Sequence, residues 1–129
     1  MNDYGCEIFR LTNAERFRYG LSPLTWSDIL TDVARKHSVD LVTSNTFSHT
    51  GSDGSSPEER VDKSGVAPSF LGENISGGRR DPKVAMQDWL ASAGHRANIL
   101  HVDAIYLGVG IAYAENSKYK IYVTQIFGR

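Results

Sequence analysis

Length, composition and charge already exclude several classes of protein. The chain has 129 residues, of which 40% are hydrophobic and 22% are charged, a balance typical of one folded domain rather than a disordered chain. The formal net charge is −1, so the basic excess of a general nucleic-acid binder is missing. No apolar run approaches the ~20 residues of a membrane-spanning helix, and the residues after Met1 do not resemble a signal peptide.

Local signals predict four helices in the first two-thirds of the chain. Their predicted positions are about 3–19, 27–41, a short helix from 56, and 81–92. The clearest signals are N-terminal, because Ser27 is a favourable N-cap and Ser56, Pro57 and Glu59 form a capping box. The second helix carries His37 on its apolar stripe, and we interpret it as a core histidine.

Strand signals concentrate at the end of the chain. Large and small residues alternate between 105 and 114, which places Gly108 and Gly110 on one face and lets another element pack closely on the backbone. A strand at about 119–127 follows a short connection, which predicts an antiparallel hairpin, and 70–76 is a candidate third strand. Early helices and late strands indicate an α+β fold in which helices cover a small antiparallel sheet.

The titratable candidates for chemistry near neutral pH are four histidines. They are His37, His49, His95 and His101. His95 precedes a short helical turn, where the helix dipole favours the neutral imidazole that binds metal. Together with Glu73, two histidines could form the two-histidine, one-carboxylate set of catalytic zinc sites, or each could be an ordinary hydrogen-bonded residue. Cys6 is the only cysteine, so no internal disulfide forms, and we expect it to be buried and apolar.

Several stretches, read together in their order and spacing, carry a family resemblance. They are NAERFRYGLSPLTW (13–26), ARKHSVDL (34–41), FSHT (47–50), GENI (72–75), WLASAGHRANIL (89–100), LGVGIAY (107–113) and TQIF (124–127). They resemble the CAP superfamily of cysteine-rich secretory proteins, venom antigens and pathogenesis-related proteins, and are most similar to its short bacterial branch. The resemblance implies one CAP-like domain over residues 1–129, built as a three-layer α–β–α sandwich around a three-stranded antiparallel sheet, and an extracellular or cell-surface location.

The resemblance also implies a cleft lined by two histidines and two acids. His49 of FSHT and His95 of GHR match the histidines, and Glu73 of GENI matches one acid. Ser92 occupies the position of the second acid, while Asp88 lies nearby in the sequence. The resemblance therefore makes His49, Glu73, Ser92 and His95 the cleft residues. It makes His49 and His95 metal ligands, with Glu73 as a candidate third ligand.

Two functions stay open at this point. The first is a non-enzymatic module whose cleft binds an ion, a small ligand or a component of the cell envelope. The second is a metal-dependent hydrolase in which His49 and His95 hold Zn²⁺ or another divalent cation and Glu73 is a ligand or the general base. Glu73 could also act structurally, by fixing the loop that carries His49. No nucleic-acid partner is expected, and no coiled-coil or apolar stripe predicts an oligomer.

Overall fold

A computed structural model describes residues 3–65 and 68–129. In chain order its elements are α1 (Asp3–Arg18), β1 (Thr25–Trp26), α2 (Asp28–Ser44), α3 (Pro57–Asp62), β2 (Phe70–Gly77), α4 (Pro82–Leu90), α5 (Ala93–Ile99), β3 (Tyr106–Tyr113) and β4 (Ile121–Gly128). The four predicted helices and the three predicted strands are confirmed near their expected positions.

Side-chain caps determine where the central helices begin. The Ser27 hydroxyl accepts a hydrogen bond from the Leu30 amide at the start of α2. Both halves of the predicted capping box between Ser56 and Glu59 are present at the start of α3, and Asp81 caps α4. These side chains satisfy amides that have no partner within the helix.

The sheet is mixed and has the strand order β1-β3-β4-β2. Strands β2 and β3 both pair antiparallel with β4, as expected, whereas β1 pairs parallel with β3. The prediction of a purely antiparallel three-stranded sheet is therefore wrong. The sequence does not predict β1, because a strand of two residues is too short to show the alternation of apolar and polar residues. Strand β1 forms because the amides of Thr25 and Ser27 donate to the carbonyls of Ile105 and Leu107.

Helix α2 lies directly on two glycines of β3. A Cβ atom on Gly108 would lie 2.3 Å from the Leu30 carbonyl carbon, and one on Gly110 would lie 2.0 Å from the Arg35 amide nitrogen. The predicted close approach to this face is confirmed. The Ser38 hydroxyl adds a hydrogen bond to the Gly110 carbonyl oxygen at 2.9 Å. The buried apolar residues on this face are Leu30, Val33, Ala34, Val61 and Ile126.

Helices α1, α4 and α5 pack against the opposite face of the sheet. Alternation along β4 directs Val123 and Phe127 into this second core, while Ile126 contacts α2. Trp89 is buried here, and its indole N–H donates to the Ile75 carbonyl at 3.0 Å. The strand β2 is thereby fixed between the two groups of helices.

Cys6 lies on the solvent side of α1 and is exposed. The expectation of a buried cysteine is wrong, because α1 directs Gly5, Ile8 and Thr12 inward instead.

Candidate functional site

The carboxylate of Glu73 is the centre of the candidate site. Glu73 lies on strand β2, and its side chain is 1% exposed. Its Oε1 atom lies 2.8 Å from Nδ1 of His49, and its Oε2 atom accepts a hydrogen bond from Arg60 at 3.0 Å. Because a carboxylate can only accept, His49 carries its hydrogen on Nδ1. Glu73 therefore orients the His49 imidazole and leaves its Nε2 atom unprotonated when the ring is neutral.

His49 lies on the loop after α2, and His37 holds that loop in place. The Nε2 atom of His37 is 2.8 Å from the Ser48 carbonyl oxygen, next to His49. Burial lowers the pKa of His37; the Glu73 charge opposes this, and the Arg60 charge adds to it. The neutral ring thus donates its Nε2 hydrogen to Ser48. His37 is the predicted core histidine, and it also touches the site, since its Nε2 atom is 3.9 Å from Oε1 of Glu73.

His95 reaches the same region from helix α5. Its Nδ1 atom is 2.8 Å from the hydroxyl of Ser92. Burial lowers the pKa of His95, and the nearby His49 lowers it further. Burial and the charge of His49 thus both favour the neutral imidazole of His95. The predicted residues form two contacting pairs, Glu73 with His49 and Ser92 with His95, and His49 is near enough for its charge to act on His95.

An amide network fixes α5 against β2. The Asn74 amide donates to the His95 carbonyl at 3.1 Å and to Oε1 of Gln125 at 3.0 Å. The Asn98 amide donates to Oδ1 of Asn74 at 2.8 Å and to the Glu73 carbonyl at 3.2 Å. These bonds set the separation of Glu73 and His95. All of these residues lie in the motifs GENI, TQIF and WLASAGHRANIL, but no motif indicates which residue its members contact.

Arg60 is the site residue that sequence reasoning missed. Helix α3 carries its guanidinium to Glu73, and Nη1 also donates to the Ser55 carbonyl at 3.0 Å. The capping box indicated where α3 begins, but nothing in the sequence paired this helix with β2. The arginine balances the buried charge of Glu73, as a buried carboxylate requires.

A cleft of about 290 Å³ opens beside His95. Phe47 and Tyr119 form an aromatic part of its wall, with Ser92 and His95 elsewhere in the lining. Of the predicted cleft residues, His49 and Glu73 lie outside this lining. The exposed fraction of the His49 side chain is nevertheless 49%, whereas Glu73 is closed off.

The charged part of the cleft is an ion pair. Arg79 donates from Nε to Asp88 at 2.7 Å, and both residues line the cleft. Asp88 is thus paired with an arginine rather than with a histidine. Within residues 3–65 and 68–129, no three His, Cys, Asp or Glu side chains are grouped so that they could hold a metal ion.

The family model for CAP, the cysteine-rich secretory protein family, matches residues 9–127. The chain belongs to this family. This CAP chain is 35% identical over 126 residues to uncharacterized protein YkwD of Bacillus subtilis strain 168, covering 98% of the chain and 48% of the relative. It is 37% identical over 105 residues to uncharacterized membrane protein YlbC of the same strain, covering 81% of the chain and 30% of the relative.

A solved structure shows the same CAP fold. An extracellular protein containing a SCP domain from Bacillus anthracis str. Ames has a TM-score of 0.85 and 36% identity, over 98% of this chain and 40% of that one. The present chain thus spans about half or less of the length of these three relatives. The CAP membership expected from the motifs is confirmed.

Proposed function

We propose that this CAP domain is a binding module at the outside of the cell, in which His49 and His95 together hold an ion or a small ligand. One observation carries the proposal: the Nδ1 atom of each imidazole is engaged within the protein, by Glu73 and by Ser92. The Nε2 atoms are then the ones left to face a ligand. Imidazoles that are already oriented lose little freedom on binding.

The two imidazoles suit Zn²⁺ or another divalent cation. Neutral imidazole nitrogen is a common zinc ligand, and a carboxylate on the far ring nitrogen fixes the tautomer and raises the basicity of the ligand. In this proposal His49 and His95 are the protein ligands of the cation, while Glu73 and Ser92 bond the Nδ1 atoms of the two rings. Such a cation supplies a Lewis acid for an oxygen of the bound ligand. The aromatic wall of Phe47 and Tyr119 suits a ligand with an apolar face.

The alternative function, a metal-dependent hydrolase, needs a general base close to the reacting water. Glu73 was the candidate for that role. Its side chain is 1% exposed, and both carboxylate oxygens are bonded, one to His49 and one to Arg60. A carboxylate held in this way is poorly placed to take a proton from water, so we favour binding over hydrolysis.

An extracellular or cell-surface location is part of the proposal. The Bacillus anthracis relative is described as extracellular, and YlbC of Bacillus subtilis is named a membrane protein. Among the helices described for this chain, none combines the length and the apolar character needed to cross a bilayer. In this proposal the cell envelope is the source of the ligand.

Zinc binding by tag-free protein, measured by calorimetry, tests the proposal. We expect His49→Ala and His95→Ala each to weaken zinc binding by at least about tenfold, with unchanged circular dichroism. His101→Ala is the matched control, because this fourth histidine lies outside the site. Equal loss in His101→Ala, or no binding to the unaltered protein, would contradict the cation site. Metal-dependent hydrolysis of an ester or peptide that disappears in His95→Ala would contradict the binding module.

A further inference from the structure

The cleft beside His95 has a fixed aromatic wall that a ligand can reach. The ring centroids of Phe47 and Tyr119 are 5.4 Å apart, and the ring of the buried Tyr122 meets Tyr119 at a centroid distance of 5.8 Å. A Cβ atom on Gly77 would lie 3.0 Å from Cγ of Tyr119 and 3.3 Å from Cε2 of Phe47, so both rings lie directly on the backbone of β2. Phe47 is nevertheless 44% exposed. The wall therefore offers an accessible apolar surface whose orientation is set before a ligand arrives.

Accessible polar atoms lie in the same cleft. They belong to Arg79 and Asp88, whose side chains are 50% and 46% exposed. The ion pair between these residues uses Nε of Arg79 and Oδ2 of Asp88. Across the residues that the structure describes, Nη1 and Nη2 of Arg79 and Oδ1 of Asp88 form no hydrogen bond or ion pair. A ligand can therefore reach two donor groups and an acceptor that the ion pair holds side by side.

The charges of the lining favour a neutral ligand with hydroxyl groups. The formal charges of Arg79 and Asp88 cancel, and burial lowers the pKa of His95, which favours its neutral ring. An anion attracted by Arg79 is repelled by Asp88, and the reverse holds for a cation. Two neighbouring hydroxyl groups match the ion pair without carrying a charge, because one can donate to Asp88 Oδ1 while the other accepts from an Nη group of Arg79.

A pyranose ring combines the two features that the cleft requires. Its faces carry C–H groups, which pack on aromatic rings, and its edge carries hydroxyl groups, which bond carboxylate and guanidinium groups. The cleft volume of about 290 Å³ lies just below the ~300–1,000 Å³ of sites for drug-sized ligands, so it suits a molecule as compact as one sugar ring. A purely apolar compound would make no hydrogen bond to the ion pair, and an acyclic polyol has no flat apolar face.

We propose that the cleft binds a neutral pyranose sugar, one face of which packs on Phe47 and Tyr119 while two neighbouring hydroxyl groups bond Asp88 and Arg79. The inference rests on the proposed function, in which this cleft holds a small ligand, and it names the class of that ligand. None of these four residues is a proposed ligand of the cation, so sugar binding and zinc binding can be measured separately.

Amide NMR of the isotope-labelled chain in the presence of a chelator, titrated with the methyl glycosides of D-glucose and of N-acetyl-D-glucosamine, tests the proposal. We expect saturable shifts at Phe47, Gly77 and Tyr119 with at least one of the two sugars. Mannitol, which has hydroxyl groups but no ring, and acetate, which is an anion, should leave these amides unshifted. Absence of shifts with both sugars, or equal shifts with mannitol or acetate, would overturn the sugar site. Cellotriose distinguishes the source: tighter binding than the monosaccharides indicates a glycan chain and weaker binding a free sugar, and either supports a pyranose site.

Two variants with matched controls locate the binding. Phe47→Ala and Asp88→Ala should each weaken the apparent affinity for the sugar by about fivefold or more. Phe17→Ala and Asp32→Ala are the controls, because Phe17 is 83% exposed on α1 and Asp32 forms surface ion pairs on α2, both outside the cleft. The controls should bind the sugar like the unaltered chain. Equal losses in a variant and its control would overturn the assignment.

Zinc calorimetry on the same proteins separates this inference from the proposed cation site. Phe47→Ala and Asp88→Ala should bind zinc like the unaltered chain. Zinc binding without sugar shifts would overturn the sugar site and leave the cation site standing. Sugar shifts that need Phe47 and Asp88, in a chain that binds no zinc, would contradict the cation site and support the sugar site.

Discussion

A single carboxylate organises three side chains that are far apart in the sequence. Glu73 bonds His49 and Arg60 directly and lies near His37. Family motifs pointed to Glu73 and His49, because each is embedded in a recognisable stretch. They could not show that the carboxylate is buried, because burial depends on α3 packing against β2 and on His37 of α2 lying close to Glu73. That Glu73 orients the His49 ring follows only from the contact between the two side chains.

Removing the carboxylate should be costly because Arg60 then keeps a buried charge without a partner. The arginine side chain is 13% exposed. We expect Glu73→Ala to lower the free energy of unfolding by about 3–5 kcal/mol, measured by urea denaturation. Glu7→Ala is the control, since its ion pair with Arg10 lies on the surface of α1 and should contribute little. Similar losses in the two variants would show that the Glu73 pair is not a buried, coupled one.

The lowered pKa values of two imidazoles should make the protein sensitive to mild acid. The pKa values of His37 and His95 are lowered from 6.5, mainly by burial. Below about pH 6.5 these two histidines bind protons in the unfolded chain but not yet in the folded chain. The free energy of unfolding therefore falls as the pH drops through about 6.5 and on to the folded pKa values. Above that pH these groups contribute no pH dependence.

Urea unfolding in the presence of a chelator, at pH values between about 5 and 7.5, measures this effect. His37→Gln and His95→Gln together should flatten the slope below 6.5, because neither glutamine titrates. The charges that face His37 are Glu73, Arg60 and Asp40, and all three stay in place in the double variant. An unchanged slope would assign the acid sensitivity to other groups.

Among the contacts between elements, the packing of α2 on β3 is the one that the sequence predicts most directly. The alternation of glycines with large residues predicted a close approach, and α2 makes it at Gly108 and Gly110. The capping box at Ser56, the N-cap at Ser27 and the hairpin were equally local signals. Strand β1 was not predictable, because its two residues gain their structure entirely from the edge of β3.

Adding one methyl group at Gly110 should disrupt this contact. Its Cβ would meet the backbone of α2 at 2.0 Å and 2.4 Å, and backbone cannot move aside as a flexible side chain can. We expect Gly110→Ala to lower the free energy of unfolding by at least about 1–3 kcal/mol. Gly94→Ala is the control, because the new methyl group meets no described atom within 4 Å beyond its chain neighbours and its own helix backbone, and the residue is helical. It should be neutral or stabilising; equal losses would contradict the close packing.

For the whole molecule, the fold could be predicted further than the site. Periodicity, caps and turns are local, and the family motifs are spread along nearly the entire chain. The site depends on contacts between distant residues, such as Arg60 with Glu73 and Asn74 with His95. Sequence order alone does not reveal such pairs. It follows that the histidines, Glu73 and Ser92 could be named from the sequence, whereas their pairing and the part of Arg60 follow only from the folded structure.

The central claim is that folding turns the Nε2 atoms of two imidazoles toward one ligand. Diffraction from crystals of the chain grown with zinc, recorded at the zinc absorption edge, tests it most directly. We expect one anomalous peak bonded to Nε2 of His49 and of His95, with Glu73 and Ser92 still on the Nδ1 atoms. Zinc bound through either Nδ1 atom, or found only at other side chains, would contradict the claim.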